Sequence, residues 1–446
     1  MTSPGPGATA RRANPLRVTL VNQYYPPEMP PTAQLTASLA VHLAAQGHCV
    51  TVITGGEGYV DTPGDPAGLG GTGDSDVEIV RLWTSALGKG SITRRLADYV
   101  TFLVGATVRL VLLPRQDVVI SLTTPPFAVV GAVAHKLLRR RTRVVLWSMD
   151  CYPDVIERLG SRAALRRGSV ISTVLRVVNR WAFRRLDHVV ALDEPMRGLL
   201  VNGYASDDGT RPPVSVIANW EALAGFPDPF DEPAPTPWAG YADAELTDRF
   251  VVLYLGNLGY GHRIETTVAA ARELDDTDDV AWLFVGGGAR WGQLGEHVAA
   301  SGSESRIVQR PYVGKDETGA VMAGAGCALI LLADEALGVM SPSKLHANLA
   351  AGLPIVYVGP AGSNVDAAIG RFGCGVSLRT GDVTGLAATV RRLRHDGAWH
   401  HQLSAAARRA FEEAYCDRAT LPQWDAILDQ SGPGPTGAAQ MRSTQR

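Results

Sequence analysis

The 446-residue chain reads as an α/β protein built from two doubly wound, largely parallel sheets in tandem. Three observations lead there. Short, β-branched apolar runs alternate with helix-period segments, which is the pattern of repeated βαβ units. The length exceeds what one hydrophobic core usually serves, so two domains are expected. The alternation also breaks at Gly203–Pro213, which is polar and Gly/Asp/Pro-rich, and at the proline-bearing Phe226–Gly240, and then restarts.

In order, Leu16–Val21 reads as a strand, Thr32–Ala45 as a helix and Cys49–Thr54 as a strand. Gly55–Asp76 is Gly/Asp-rich and reads as a mobile loop. Strands follow at Val77–Trp83, Val118–Leu122, Arg143–Ser148 and His188–Leu192, with helices between them, and a hinge is expected near residues 200–215. The second series is strand Val251–Leu255, helix Arg263–Leu274, strands Ala281–Val285 and Ala328–Leu332, helix Ser343–Ala351 and strand Pro354–Val358. Helical patterns continue from Val383 to Gln430, and the last, about Leu421–Asp429, is expected to cross back onto the first domain. The expected division is therefore residues 15–205 with a helix at about 416–430, then 213–415. Residues 1–14 and 431–446 are poor in large apolar side chains and read as disordered tails.

Composition is that of a globular protein, with 46% apolar and 19% charged residues, and the net charge of −2 gives no reason to expect a nucleic-acid partner. The charge is unevenly spread, however: Lys89 to Asp187 carries 18 Lys/Arg against 6 Asp/Glu. That stretch is either a solvated helical surface or a face held against anionic lipid, where each near-surface cation adds about 1 kcal/mol. Its richness in Leu, Val and Trp favours lipid. Within it Tyr99–Pro114 is apolar but short for a membrane span and carries Arg109, so an interfacial or core helix is expected. Arg11 and Arg12 are followed by no apolar segment of the kind a signal peptide needs. The five cysteines are scattered without CxxC spacing, which fits a reducing cytosol rather than a disulfide framework or zinc site.

In open α/β sheets, ligands sit outside the carboxyl ends of the strands, so candidate residues are sought there. The first strand runs into Tyr24-Tyr25-Pro26-Pro27-Glu28, with no G-x-G-x-x-G. This argues against a nicotinamide or flavin site and leaves either a stiff loop bordering a cleft at Tyr25 and Glu28 or a simple rigid connection. Gly256-Asn257-Leu258-Gly259-Tyr260-Gly261-His262-Arg263 follows the first strand of the second domain and opens a helix; Gly286-Gly287-Gly288 repeats the device after the next strand. Glycines admit close backbone approach and a helix start favours an anion, with His262 or Arg263 adding positive charge. Ser341-Pro342-Ser343-Lys344 precedes an Ala/Leu-rich helix, with Ser341 or Ser343 available as a cap. Lys344 in the first turn opposes the helix dipole, which suggests positive potential collected for a phosphate, against the plainer reading of an outward lysine after a structural cap. Asp150, in Trp147-Ser148-Met149-Asp150-Cys151-Tyr152-Pro153-Asp154, ends a strand, either to accept a proton or hold a hydroxyl or to cap the next helix.

Taken in order, Tyr24–Glu28, Gly47-His48, Asp150 with Tyr152-Pro153-Asp154, Asn219-Trp220, Gly256–Gly259, Gly286–Gly288 and Pro342-Ser343-Lys344 resemble glycosyltransferase family 4, especially bacterial members that build surface polysaccharides or glycolipids. The likeness runs from Leu16 to Asp429. It implies the GT-B fold, a nucleotide-sugar donor (UDP- or GDP-linked) on the second domain, an acceptor on the first, transfer with retention of configuration, and no required metal or cofactor. On that resemblance Gly256, Asn257, Arg263, Gly287, Ser343 and Lys344 hold the donor, Glu335 contacts its sugar, Asp150 serves the acceptor hydroxyl, and Tyr25 and Glu28 border the acceptor side. A glycan or lipid-linked acceptor implies work at an anionic membrane surface on the inner face of the plasma membrane. The chain departs from the family where the second acid of its Glu-x7-Glu pattern falls at Ala347, where its Arg/Lys pair maps to Asn257 and His262, and where Pro30-Pro31 replaces a glycine pair. These departures keep a second reading open, a catalytically degenerate GT-B protein acting as a binding or partner subunit.

Overall fold

The structure of the protein is a computed structural model that describes residues 15–28, 30–56, 77–85, 92–160, 167–204, 211–231, 236–274, 279–301 and 306–429. Both expected tails, most of the Gly55–Asp76 loop and residues 161–166 of the basic segment lie outside the described residues.

The first half contains β1 (Arg17–Val21), α1 (Pro31–Ala45), β2 (Cys49–Gly56), β3 (Val77–Trp83), α2 (Ile92–Leu112), β4 (Val118–Leu122), α3 (Val129–Leu138), β5 (Arg143–Trp147), α4 (Asp154–Leu159), α5 (Val170–Phe183), β6 (His188–Ala191), α6 (Glu194–Tyr204) and β7 (Val214–Val216). The strands form one parallel sheet in the order β3-β2-β1-β4-β5-β6-β7. β4 is buried along its whole length, as a strand with helices on both faces must be, which is why it reads as an unbroken apolar run rather than an alternating one. β7 pairs with β6, Val189 opposite Val214. The polar break at Gly203–Pro213 thus falls before the last strand of the first sheet, and the passage to the second unit, expected near residues 200–215, comes after Val216.

The second half contains β8 (Phe250–Asn257), α7 (Glu265–Glu273), β9 (Val280–Gly287), α8 (Trp291–Ser301), β10 (Ile307–Arg310), α9 (Thr318–Ala323), β11 (Cys327–Leu331), α10 (Lys344–Ala350), β12 (Ile355–Val358), α11 (Asn364–Phe372) and β13 (Gly375–Leu378). Its parallel sheet has the order β10-β9-β8-β11-β12-β13. In both sheets the order reverses beside the first strand, so each opens a crevice at its carboxyl edge.

Helices α12 (Val383–His395), α13 (Gly397–Ala410) and α14 (Asp417–Asp429) close the chain. α14 lies on the first unit. Trp424 meets Trp147 of β5 edge-on at 4.6 Å, and Trp147 in turn stacks on Trp220 at 5.5 Å. Arg143 donates to the carbonyls of Ile427 and Leu428 at 2.8 and 3.2 Å, satisfying helix-end acceptors that have no partner within the helix. The two segments that pass between the units run side by side: the Glu221 amide donates to the Tyr415 carbonyl, and the Asp417 amide to that of Glu221.

Candidate active site

Two glycine turns form the floor of the site. Asn257 at the end of β8 lies opposite Gly287 at the end of β9, and the Leu258 amide donates to the Gly287 carbonyl at 2.7 Å. Such close approach excludes side chains: a Cβ on Gly286 would stand 2.2 Å from the Gly256 carbonyl oxygen, and both residues have positive φ, 147° and 114°. The Asn257 carbonyl is fixed by the Tyr254 hydroxyl at 2.9 Å. His262 Nδ1 accepts from the Gly259 amide at 3.0 Å, and burial pulls its pKa well below the ordinary imidazole range. His262 is therefore a neutral strut that shapes the turn and supplies no positive charge, which corrects one of the two expectations for this segment.

Lys344 reaches the same turn from the opposite side. Its ammonium donates to the Asn257 carbonyl at 3.1 Å and lies 4.9 Å from the centre of the Tyr254 ring. The side chain is half-buried, and desolvation pulls its pKa down to about 8. Ser343 stands at the N-cap position of α10, but its hydroxyl makes no capping bond; its carbonyl instead accepts from His346 Nδ1 at 3.0 Å. Ser341, the other expected cap, lies beside Asp193 of the first unit, whose carboxyl pKa burial raises and the Ser341 hydroxyl partly lowers. Asn257 with Gly287, and Gly256 with Lys344, are thus brought together, while Ser343 is exposed at their edge.

Arg263 and Glu335 meet each other, Nη2 to Oε1 at 2.5 Å. The Glu335 carboxyl is held below the usual range, chiefly by its own backbone amide and by Arg263. A further cation escaped the sequence reading. Arg290 follows Gly288, its amide donates to the Leu258 carbonyl at 3.0 Å, and its positive charge acts on both His262 and Glu335. The signal was available, a basic residue two positions beyond a triple glycine and just before α8.

A strap from the second unit lies across the carboxyl edge of the first. Asp150 and Met340 form an antiparallel bridge, the Cys151 amide donates to the Val339 carbonyl at 2.9 Å, and Arg158 donates to the Leu337 carbonyl at 3.1 Å. The strap spans Glu335 at one end and Lys344 just past the other. Asp150 is positioned by Thr123, whose hydroxyl oxygen accepts from the Met149 and Asp150 amides at 3.0 and 3.2 Å. Its carboxylate has no hydrogen-bond or ion-pair partner among the described residues, and burial pushes its pKa up to about 6. It does not cap α4, which begins at Asp154 after Pro153. Asp154 and Glu157 are bound by Arg176, at 2.7 Å for Asp154, and so are structural. Tyr25 belongs to the core rather than the open cleft, 6% exposed, with its hydroxyl pKa raised by burial. Glu28 is half-buried on the same loop.

Residues 32–220 match the family described as glycosyl transferase 4-like domain. The chain is 26% identical over 287 residues to a probable glycosyltransferase, WbjE of Pseudomonas aeruginosa, a match covering 63% of this chain and 66%, just under two thirds, of that protein. It is 24% identical over 386 residues to the putative colanic acid biosynthesis glycosyl transferase WcaI of Escherichia coli K12, covering 84% and 92%. Sucrose-phosphate synthase from Thermosynechococcus elongatus superposes with a TM-score of 0.68 at 17% identity, covering 93% of this chain and 98% of that one. Anabaena HepE in complex with UDP and glucose superposes at 0.65 and 13%, covering 93% and 100%. Two parallel sheets of this order, facing each other at their carboxyl edges, have the GT-B architecture of the glycosyltransferases. By this domain and these relatives the chain is similar to the glycosyltransferases of family 4.

Proposed function

We propose that the protein moves a sugar, with retention of configuration, from a UDP- or GDP-linked donor to a hydroxyl of a glycan or lipid-linked acceptor of the cell envelope. The observation that carries this reading is the Lys344 ammonium lying on the Gly256–Asn257 turn, a cation set over exposed backbone where a diphosphate can approach closely. Gly256, Asn257, Gly287 and Arg263 complete the donor cradle, Ser343 borders it, and Glu335 turns to the sugar. Asp150 orients the acceptor hydroxyl, and Tyr25 and Glu28 support the acceptor side from behind. As the bond from the sugar to the diphosphate breaks, the negative charge grows on the leaving group, where fixed cations and amides act without reorganising. Holding both substrates in one cleft supplies the remainder. The names of the relatives, one in colanic acid biosynthesis and one solved with UDP and glucose, agree with this substrate class.

The acceptor reading rests on the outer surface of the first unit. α2 and α5 present exposed apolar side chains, among them Leu96, Val104, Leu112, Val170 and Val177, next to exposed Arg115, Arg139–Arg141, Arg180 and Arg184. No helix among the described residues is long and apolar enough to cross a membrane. A face both apolar and basic suits an anionic bilayer surface, which supports a peripheral position at the inner face of the plasma membrane.

A thermal-shift screen with UDP-, GDP-, ADP- and dTDP-sugars tests the donor assignment. One of them raises the melting temperature of the wild type, by about 2.7 kcal/mol of added stability at a hundredfold excess over Kd, and the rise shrinks in Lys344→Ala. No shift with any of the four donors is the result that refutes it. Binding without transfer or donor hydrolysis identifies the degenerate subunit, the reading that Ala347 keeps open.

A further inference from the structure

We propose that Glu335 is a resident counter-anion of the donor-site cations, displaced when a nucleoside diphosphate binds, and that Arg290 is the third cation of that site beside Arg263 and Lys344. The inference rests on the donor reading above and assigns how the site is held before the donor arrives.

The charges around the two glycine turns come from Arg263, Arg290 and Lys344 on one side and Glu265 and Glu335 on the other. Arg263 and Glu335 are joined at 2.5 Å, yet their side chains are 41% and 47% exposed. An ion pair that open to water is worth about 0–1 kcal/mol. A multiply charged diphosphate competes easily with one carboxylate held so weakly, so the exchange needs no large rearrangement. Once released, Glu335 sits at the start of the strap that crosses to Asp150, on the sugar side of the cleft.

Arg290 is the less satisfied of the two arginines. Its nearest acid, Glu265, is 3.6 Å from Nη1, beyond a good hydrogen bond. Its Nε is buried and has no partner among the described residues, and an unmet buried donor costs about 1–3 kcal/mol. The backbone of Arg290 is pinned to Leu258, at the junction of both turns. A guanidinium rooted there and short of acceptors is suited to a phosphate oxygen, and it fills the place left by the family cations missing at Asn257 and His262.

Titration calorimetry with UDP, GDP, uridine and guanosine tests both parts. Glu335→Gln is expected to tighten the nucleoside diphosphate that the wild type binds by about threefold to fivefold, the scale of an exposed ion pair, and to leave its nucleoside unchanged. Arg290→Gln is expected to weaken the diphosphate about tenfold, as loss of a charge-assisted bond does, again sparing the nucleoside. Adding Glu335→Gln to Arg263→Ala is expected to give no further gain, because the competed cation is already gone. If Glu335→Gln binds the diphosphate no better than wild type, the counter-anion role is overturned; if Arg290→Gln binds it equally well, the third cation is. Wild-type protein that binds neither UDP nor GDP removes the donor assignment itself, and this inference with it.

Discussion

Asp150 carries a cost that its position explains. The folded chain holds its carboxyl at about 6, above the ordinary value, because burial penalises the charged form. A raised acid pKa means the native state binds more protons than the unfolded chain between pH 4 and 6. The group therefore weakens the fold as pH rises through that window, and the penalty is complete above pH 6. Asp150→Asn is expected to melt higher than wild type at pH 8, with the gain shrinking toward pH 4, while transfer falls at least a hundredfold (about 3 kcal/mol or more of lost transition-state stabilisation). Melting curves across pH and initial rates at pH 8 check both halves; a variant that melts lower at pH 8 removes the buried-charge argument. Lys344 supplies the opposite limb. With its pKa at about 8 in the unliganded protein, kcat/KM for the donor is expected to fall as pH rises through 8. With Asp150 at about 6, initial rates across pH are expected to trace a bell between the two, and a profile flat through pH 8 removes the role of Lys344.

Helix α2 shows where a sequence reading reaches its limit. Its inner stripe, Phe102, Ala106 and Leu110, is fully or nearly fully buried, while Leu96, Val100, Val104, Val108 and Leu112 recur every fourth residue and are 49–71% exposed. Two apolar stripes on nearly opposite faces make one helix read as core or interface; one stripe lies in the core and the other is exposed. Val104→Glu with Val108→Glu is expected to abolish sedimentation with anionic vesicles while leaving the melting temperature within about 1 °C, as surface changes do. Equal binding of the wild type to neutral and anionic vesicles, or unchanged binding of the variant, defeats the membrane assignment. Apolar, β-branched runs made β1, β2, β4, β5, β8 and β9 readable, whereas β7, β10 and β13 have only three or four residues each and depend on neighbours for pairing. The turn at Gly256 and the lysine at Lys344 were legible because each sits at a strand or helix end with a chemical reason to be there. The Arg263–Glu335 pair, the burial of Tyr25 and the neutral His262 were not legible, since each depends on partners tens of residues away or on enclosure by the assembled core.

At the scale of the whole molecule, the last helix decides how the two units are joined. Trp424 is fully buried against Trp147, deep in the first unit. Trp424→Ala is expected to cost about 3–5 kcal/mol, the usual loss for a large buried aromatic. Urea unfolding with Trp fluorescence checks this, and a change below 1 kcal/mol means that α14 is dispensable. The strap at Val339–Met340 and the Lys315 bond to Gln34 across the gap, at 2.8 Å, describe a closed arrangement of the units. Opening has to break these few contacts while leaving the paired crossings at Glu221 and Tyr415–Asp417 intact.

That pairing of an outgoing and a returning segment has a consequence for synthesis on the ribosome. Everything around Trp147 emerges early, but the tryptophan that covers it is encoded almost 280 residues later, at position 424. Until then the nascent first lobe presents an uncovered indole surface, so that lobe is sealed only once the chain has been made through position 424.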